Sequence, residues 1–328
     1  MSGGGSEPLT FRQRFQPRAA RSPRTPSGAG VGSPFHCSRF PIWGLHDPCS
    51  TTSHQSPQDC GGGSRYRRHR LPADRRAGPA QAADTFRYIA LGDSYAAGTG
   101  LPLQTSSACK RSLVGYAYQV AITLDEDQFV DVTCSGATTR SLWNHQGSAA
   151  PQVNALTKDT DLVTVTLGGN DLGFADTLVQ CVTKRPCKDD VSAGLEAKMN
   201  YVASRTHGMI TDITRRSPQA RVLVVGYPRL FPADGSTCGP LVPLDKGDIA
   251  YFDKVTRSLN LTQAFVVQLA KQQGKKVTYV DTYTQSKNKD MCQSVAANRW
   301  VNPLVSASPA HPNLAGHQAM AKAVLTAL

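Results

Sequence analysis

The chain has 328 residues, which is enough for one large α/β domain or two small ones. Its formal net charge is +12, but residues 1–83 hold 12 Arg, no Lys and four acidic residues, so they carry +8 of that charge. The basic balance therefore belongs to this N-terminal segment, and no nucleic-acid partner is expected for the rest. No segment approaches the ~18 consecutive apolar residues that a membrane-spanning helix needs.

Residues 1–83 form a leader rich in Gly, Ser, Pro and Arg, whose apolar surface is too small to fold, so we predict disorder. Its cluster Arg65-Tyr-Arg-Arg-His-Arg70 is a candidate for binding nucleic acid or an anionic membrane, although a solvated basic tail is the commoner role. The leader lacks the apolar core of a secretory signal, yet Ala80-Gln-Ala82 resembles a signal cleavage site. One hypothesis is that residues 1–83 do not represent the native leader.

Residues 84–328 alternate strand-like and helix-like segments. Strands are predicted at 86–91, 129–133, 162–167, 221–226 and 277–281. Helices are predicted at 116–124, 193–216, 246–273 and 314–328. This alternation predicts an α/β fold: a single doubly wound, flavodoxin-like domain, with a five-stranded parallel sheet sandwiched by helices.

The nine cysteines divide between the two parts of the chain. Three lie in the leader, and an even number lie in residues 84–328: Cys109, Cys134, Cys181, Cys187, Cys238 and Cys292. None has the spacing of a zinc site, so no metal is expected. The even set favours three disulfides and an oxidising compartment over free thiols in the cytosol, and nearness favours only Cys181 with Cys187 among the possible pairs.

Three polar, glycine-bearing turns follow predicted strands. They are Gly92-Asp-Ser94, Cys134-Ser-Gly136 and Gly168-Gly-Asn-Asp171. Ligands of doubly wound folds bind beyond the carboxyl ends of the strands, where all three turns lie. The turns therefore predict a site at this edge of the sheet.

Each polar residue in these turns also has an ordinary structural role. Ser94 is a candidate nucleophile at the end of a strand, but a serine there is more often a helix N-cap, and the G-x-S-x-G elbow is absent. Gly136 and Asn170 can supply an N–H and an amide to an oxyanion, or can be simple turn residues. Among the histidines outside the leader, His311 lies in a loop before the last helix and is the best candidate base, whereas His317 lies inside that helix.

The segments Gly92-Asp-Ser94, Gly136, Gly168-Gly-Asn170 and His311-Pro312 stand in the order of blocks I, II, III and V of the GDSL, or SGNH, hydrolase family. The chain resembles that family over nearly all of residues 84–328. The resemblance implies that Ser94 is the nucleophile and His311 the general base. It also implies that Gly136 and Asn170 stabilise the oxyanion together with the Ser94 N–H.

The cysteine layout resembles the secreted streptomycete lipases, esterases and phospholipases of the family. The resemblance implies secretion and the disulfides Cys109–Cys134, Cys181–Cys187 and Cys238–Cys292. The chain departs from the family's D-x-x-H pattern, because Ser308 stands where the acid is usual. We therefore expect a Ser–His dyad in which the backbone carbonyl of Ser308 or Pro309 orients the imidazole.

The expected function is hydrolysis of carboxylic, fatty acyl esters through an acyl-enzyme intermediate. Leu172, Phe174 and Leu178 follow Asn170 and are candidates to line an acyl pocket or to pack in the core. No phosphate-binding or dinucleotide-binding loop is present, and the mechanism needs no cofactor. The expected partners are small-molecule or lipid esters, with at most transient contact with a lipid interface, and the expected state is a monomer. The alternatives are a carbohydrate acetylesterase of the same fold and a non-catalytic binding module.

Overall fold

The computed structural model describes residues 85–328 except 127, 185, 188, 190–193 and 237. The leader, its Arg65–Arg70 cluster and the cleavage-like Ala80-Gln-Ala82 lie outside the described residues. The division of the chain at residue 83 therefore stays a prediction.

A five-stranded parallel sheet forms the centre of the described part. Its strands are β1 (Arg87–Gly92), β2 (Gln128–Asp131), β3 (Leu162–Thr166), β4 (Arg221–Val225) and β5 (Val277–Val280). Their order across the sheet is β2-β1-β3-β4-β5, and every neighbouring pair is parallel. This is the flavodoxin-like order, so the predicted α/β fold class is confirmed.

Helices connect these strands. The α-helices are α1 (Ser94–Ala97), α2 (Tyr116–Thr123), α3 (Phe174–Thr183), α4 (Leu195–Arg216), α5 (Lys246–Gln272), α6 (Thr282–Gln285) and α7 (Leu314–Thr326). Short 3-10 helices occur at Thr139–Leu142, Gln152–Ala155, Asn170–Leu172 and Ala296–Asn298. Among the helices of the described part, none is both long and apolar enough to cross a membrane.

Strands β1, β3 and β4 are buried on both faces of the sheet, whereas the edge strand β2 is partly exposed. Successive side chains of a strand point to opposite sides and so enter different clusters. Ile89 and Leu91 of β1 join a core cluster with Met209 of α4 and Val266 of α5. Tyr88 and Ala90, the alternate residues of β1, join a different cluster, whose helical members come from α1, α2 and α7. The helices thus cover the sheet as two layers, and the carboxyl ends of its strands stay free to form a site.

The polar residues of β3 are accommodated within this core by hydrogen bonds. The Thr164 hydroxyl is 2.7 Å from the hydroxyl of Tyr88, and the Thr166 hydroxyl is 2.9 Å from that of Tyr116. Pairing offsets the cost of burying these groups, so threonine is tolerated in a central strand.

Strand and helix ends fall within about two residues of their predicted positions, which is the usual uncertainty of such boundaries. Helix α3 was not predicted. It begins after Gly173, whose φ of +67° turns the chain sharply, and it follows the short 3-10 helix after β3. A short helix that begins so soon after a strand lacks the flanking signals on which a sequence prediction depends.

Candidate active site

Ser94 lies at the first turn beyond β1. The backbone at Gly92 has a φ of +145°, and a Cβ there would be 2.5 Å from the Thr166 carbonyl oxygen, so only glycine allows this close approach to β3. Asp93 is the N-cap of α1, since its carboxylate accepts a 2.9 Å hydrogen bond from the Tyr95 N–H. Ser94 is therefore not the cap but the first residue of the helix, and its side chain remains available for other contacts.

His311 lies in the turn before α7. Its Nδ1 is 2.8 Å from the carbonyl oxygen of Pro309. If Nδ1–H donates to that carbonyl, Nε2 carries the lone pair that a general base needs. The Ser308 hydroxyl points elsewhere and donates to the Thr99 carbonyl at 3.2 Å. Of the two predicted carbonyls, the structure places that of Pro309 against the imidazole.

The surroundings of His311 favour its neutral form. Burial lowers the pKa of the imidazole from its usual 6.5, and the nearby Lys110 charge lowers this pKa further. The hydrogen bond to Pro309 acts in the opposite direction but does not cancel the effect of burial on the pKa. The imidazole is therefore neutral, and able to accept a proton, at neutral pH.

Asn170 opens the 3-10 helix after β3, and its side-chain amide donates to the Ala137 carbonyl at 2.9 Å. Gly136 precedes Ala137 and has a φ of +79°, a conformation that favours glycine. A second link joins the same two turns, because the Asp171 carboxylate accepts hydrogen bonds from the Thr139 N–H and hydroxyl at 2.9 and 2.6 Å. The turns that carry Gly136 and Asn170 are thus fastened together.

One cavity of about 150 Å³ is lined by Ser94, Asn170 and His311 together. The structure therefore brings three of the residues proposed from the sequence to a single place. Gly136 is in the turn beside Asn170 but is not among the residues that line this cavity. The remainder of the wall is largely apolar and includes Leu172, Phe174, Ala175, Leu178, Leu230, Val255 and Leu259.

Leu172, Phe174 and Leu178 occupy positions that fit both roles considered from the sequence. All three line the cavity, while Leu172 and Leu178 are buried members of a core cluster and Phe174 packs against it. The acyl-pocket and core interpretations are therefore compatible, because the cavity is cut into the edge of the core.

A hydrogen-bond network among residues that line the cavity was not predicted from the sequence. The carboxyl of Asp93 accepts a 2.5 Å hydrogen bond from the Tyr227 hydroxyl, which itself accepts from the Gly169 N–H at 2.9 Å. Burial raises the pKa of Asp93 from 3.8 to about 7. The available signal was the position of Tyr227, which directly follows β4 at the same edge of the sheet. The network links the turns of Ser94 and Asn170.

The structure pairs the six cysteines of the described part as Cys109–Cys134, Cys181–Cys187 and Cys238–Cys292, the pairs that the family resemblance implies. The first pair joins the loop before α2 to the turn of Gly136, and the Ser135 N–H donates to the Cys109 carbonyl at 2.9 Å.

Cys181 and Cys187 also lie near Asp248 in an arrangement that can suggest a metal site. Their sulfurs are joined to each other, and the Asp248 carboxylate accepts from the Cys187 N–H at 3.0 Å.

This fold, with its cavity shared by a serine, a histidine and an amide, is that of a carboxylic ester hydrolase, and comparison with known proteins agrees. The chain belongs to the GDSL-like lipase/acylhydrolase family, whose family model matches residues 90–319. The family resemblance inferred from the sequence motifs is thus confirmed.

Several streptomycete proteins are similar to the chain. Lipase 2 of Streptomyces coelicolor is 36% identical over 270 residues, which cover 77% of this chain and 89% of that protein. The crystal structure of an extracellular lipase from Streptomyces rimosus has a TM-score of 0.63 at 26% identity and covers 74% of this chain and 100% of its own. That of a phospholipase A1 from Streptomyces albidoflavus has a TM-score of 0.62 at 26% identity, covering 74% and 99%.

Proposed function

We propose that the protein hydrolyses fatty acyl esters through a Ser94–His311 dyad and an acyl-enzyme intermediate. The observation that carries this proposal is the single cavity that Ser94, Asn170 and His311 line together, with apolar side chains over most of its remaining wall. An apolar cavity suits the acyl chain of an ester, and the polar residues at its edge suit the carbonyl.

In the first half of the reaction, the Ser94 hydroxyl attacks the ester carbonyl while its proton passes to His311 Nε2. This step needs a hydrogen bond from the Ser94 hydroxyl to His311 Nε2, a contact that forms or tightens when substrate binds in such enzymes. The imidazolium then gives the proton to the leaving alcohol, and the acyl group stays on Ser94. In the second half, water attacks the acyl-enzyme with His311 again as base, and the carboxylic acid is released.

The tetrahedral intermediates carry a negative oxygen that needs preorganised donors. We assign this role to the backbone N–H groups of Ser94 and Gly136 and to the side-chain amide of Asn170. An amide has two N–H bonds, so Asn170 can donate one to the Ala137 carbonyl and aim the other at the oxyanion. The Pro309 carbonyl would replace the usual acid by accepting from Nδ1–H, and no cofactor takes part in this scheme.

The wall of the cavity favours a fatty acyl ester over a carbohydrate acetate. Recognition of a sugar requires several free side-chain donors and acceptors, whereas most residues of the wall beyond Ser94, Asn170 and His311 are apolar. Three of its polar members already have partners, since the Tyr227 hydroxyl donates to Asp93 and the Tyr95 hydroxyl donates to the Ala310 carbonyl. A panel of p-nitrophenyl esters from acetate to palmitate distinguishes the two functions. A preference for longer chains is expected, and turnover of acetate alone would support the carbohydrate esterase.

We further propose that the protein is a secreted monomer with three disulfides and at most transient contact with a lipid interface. The support is the pairing of the six cysteines in the structure and the similarity to the Streptomyces rimosus lipase, which is an extracellular enzyme. Two measurements test these points on protein recovered from the culture medium. Peptide mapping of the unreduced protein identifies the disulfide pairs, and the molar mass in solution shows whether the protein is a monomer.

The decisive experiment repeats the ester panel with Ser94→Ala. Loss of the nucleophile is expected to lower kcat by roughly 10³-fold or more for every ester, because no other group forms the acyl-enzyme. Ser306→Ala is the matched control, since Ser306 is exposed and its hydroxyl donates a 2.7 Å hydrogen bond to the Pro303 carbonyl, away from the cavity lining. Full activity of Ser94→Ala would refute the proposed mechanism.

A further inference from the structure

A second cavity lies beside His311 and is not used by the acyl chain. It has a volume of about 400 Å³ and is lined by the loop after α1 and by the segment before α7: Thr99, Gly100, Gln104, Ser106, Ser107, Lys110, Ala307, Ser308, Pro309 and His311. His311 and Pro309 line the apolar cavity as well. The histidine therefore stands between an apolar cavity and a polar one.

The two walls of the polar cavity are fixed to each other. The backbone at Gly100 has a φ of +86°, and a Cβ there would be 2.1 Å from the Ser308 hydroxyl oxygen, so a side chain at this position would force the walls apart. The Ser308 hydroxyl also donates to the Thr99 carbonyl. The cavity is thus a built feature of the fold and not a chance gap between loose loops.

Thr99 carries an unused polar group at this cavity. The residue is only 7% exposed, and its hydroxyl has no hydrogen-bond partner among the described residues. Buried polar groups are nearly always paired, so an unpaired hydroxyl on a residue that lines a cavity requires an explanation, and a hydrogen bond to a ligand atom or to a water provides one.

Lys110 gives the cavity a positive charge. It makes no ion pair with any described residue, and no acidic side chain is among the residues that line the cavity. Its backbone is held by a 2.8 Å hydrogen bond from its own N–H to the Ser106 carbonyl and by the neighbouring Cys109–Cys134 disulfide. Its charge also acts on His311, whose pKa it lowers.

We propose that the polar cavity holds the alcohol part of the ester and that Lys110 selects alcohols carrying a phosphate group, as in glycerophospholipids. This inference rests on the proposed function, because His311 must give its proton to the leaving alcohol oxygen. The alcohol therefore lies against His311 but outside the acyl cavity, and the polar cavity is the space that meets both conditions. A phosphate attached to that alcohol then comes within reach of the Lys110 ammonium, with Thr99 and the serines as further hydrogen-bonding groups.

The test uses two soluble substrates that share their acyl chains, dihexanoylglycerol and dihexanoylglycerol 3-phosphate, both below their micelle-forming concentrations. Monomeric substrates exclude a general attraction of Lys110 to a charged lipid surface. The measured quantity is the ratio of kcat/KM for the phosphate ester to that for the neutral ester, at pH 8, where His311 is neutral in every variant.

The parent is expected to prefer the phosphate ester, and Lys110→Gln is expected to lower the ratio by about tenfold, the effect of one charge-assisted contact. Lys110→Arg should restore most of the preference because it retains the charge. Lys271→Gln, which removes a distant exposed lysine of α5, should leave the ratio at the parent value.

An unchanged ratio in Lys110→Gln, or an equal fall in Lys271→Gln, would overturn the assignment of Lys110. In that case the parent would still hydrolyse both substrates, and the proposed function would stand. Failure of the parent to hydrolyse either substrate or any p-nitrophenyl ester would overturn the proposed function together with the inference.

Discussion

In the proposed mechanism, His311 acts as the base without the acidic partner that is usual in the family. A carboxylate beside the imidazole would stabilise the imidazolium and raise its pKa, whereas the neutral Pro309 carbonyl fixes the ring with a smaller electrostatic effect. Burial and the Lys110 charge lower the pKa of His311 in this chain. The base is therefore weaker than in an acid-assisted site but remains unprotonated over a wider pH range.

The pH dependence of catalysis follows from that pKa. His311 must be neutral to accept the Ser94 proton, and its pKa lies below the usual 6.5, so kcat/KM should rise with pH and reach half its maximum below pH 6.5. A profile of kcat/KM for p-nitrophenyl butyrate between pH 4 and 9 measures this midpoint. An acidic limb centred above pH 7 would contradict the assignment of His311 as a base with a lowered pKa.

Ser308→Ala tests whether a backbone carbonyl or the Ser308 side chain orients His311. The Ser308 hydroxyl donates to Thr99, whereas the Pro309 carbonyl faces Nδ1 of the histidine, so kcat for p-nitrophenyl butyrate should stay within about threefold of the parent. The midpoint of the pH profile should also be kept. Loss of activity by ~100-fold or more would show that the side chain holds the imidazole instead.

Helix α3 forms one wall of the apolar cavity and shows how an element without clear sequence signals can shape a site. It supplies Phe174, Ala175, Leu178 and Val179 to the wall, all from its first two turns. Residues four apart lie on the same face of a helix, which is why Ala175 and Val179 reach the same cavity.

Ala175→Trp tests the contribution of this helix. The indole would occupy space in the cavity, so kcat/KM for p-nitrophenyl decanoate should fall by about tenfold or more relative to that for the acetate. Ala175 is exposed, and the substitution should therefore leave the protein folded. Gln180→Trp adds the same side chain to α3 outside the cavity lining and should keep the parent's ratio. An identical change in both variants would contradict the placement of the acyl chain.

The packing of α7 against α2 has a consequence for the stability of the whole molecule. His317 is completely buried there, and its Nδ1 accepts a 3.1 Å hydrogen bond from the Tyr116 N–H. Burial, and to a smaller extent the charge of His311, lowers the pKa of His317 from 6.5 to about 3. His317 is thus a packed core residue.

This shift makes the free energy of unfolding depend on pH. Between pH 6.5 and 3 the unfolded chain binds a proton at His317 and the folded chain does not, so stability falls as the pH is lowered through that range. Over the full interval the loss is roughly 3–5 kcal/mol. Urea unfolding of the parent and of His317→Gln at pH 4.5, 5.5 and 7 measures it.

The slope with pH should be smaller in His317→Gln than in the parent and unchanged in His207→Gln, which removes an exposed histidine. Asp93 has the opposite effect on the pH dependence of stability. Its pKa is raised to about 7 in the folded protein, so the free energy of unfolding falls as the pH rises from 3.8 to 7. Asp93 is present in all three proteins, so the difference between them isolates His317. Equal slopes in the parent and His317→Gln would contradict the lowered pKa.

The fold class and the family were predictable because the signals for both lie along the chain. Buried parallel strands such as Leu162–Thr166 are apolar and β-branched runs, and the blocks around Ser94, Gly136, Asn170 and His311 keep a fixed order. The buried network of Asp93 and Tyr227 was not predictable, because its members are separated by more than a hundred residues and meet only after the sheet forms.

The sequence by itself determined the order of strands and helices, the family and the chemical identity of the residues offered for catalysis. Only the tertiary structure decided that Asp93, and not Ser94, caps the first helix, that the Pro309 carbonyl faces His311, and that His311 stands between an apolar and a polar cavity. The physical reason is that periodicity and local propensity fix elements, whereas hydrogen-bond partners, burial and cavities depend on distances between segments far apart in the chain.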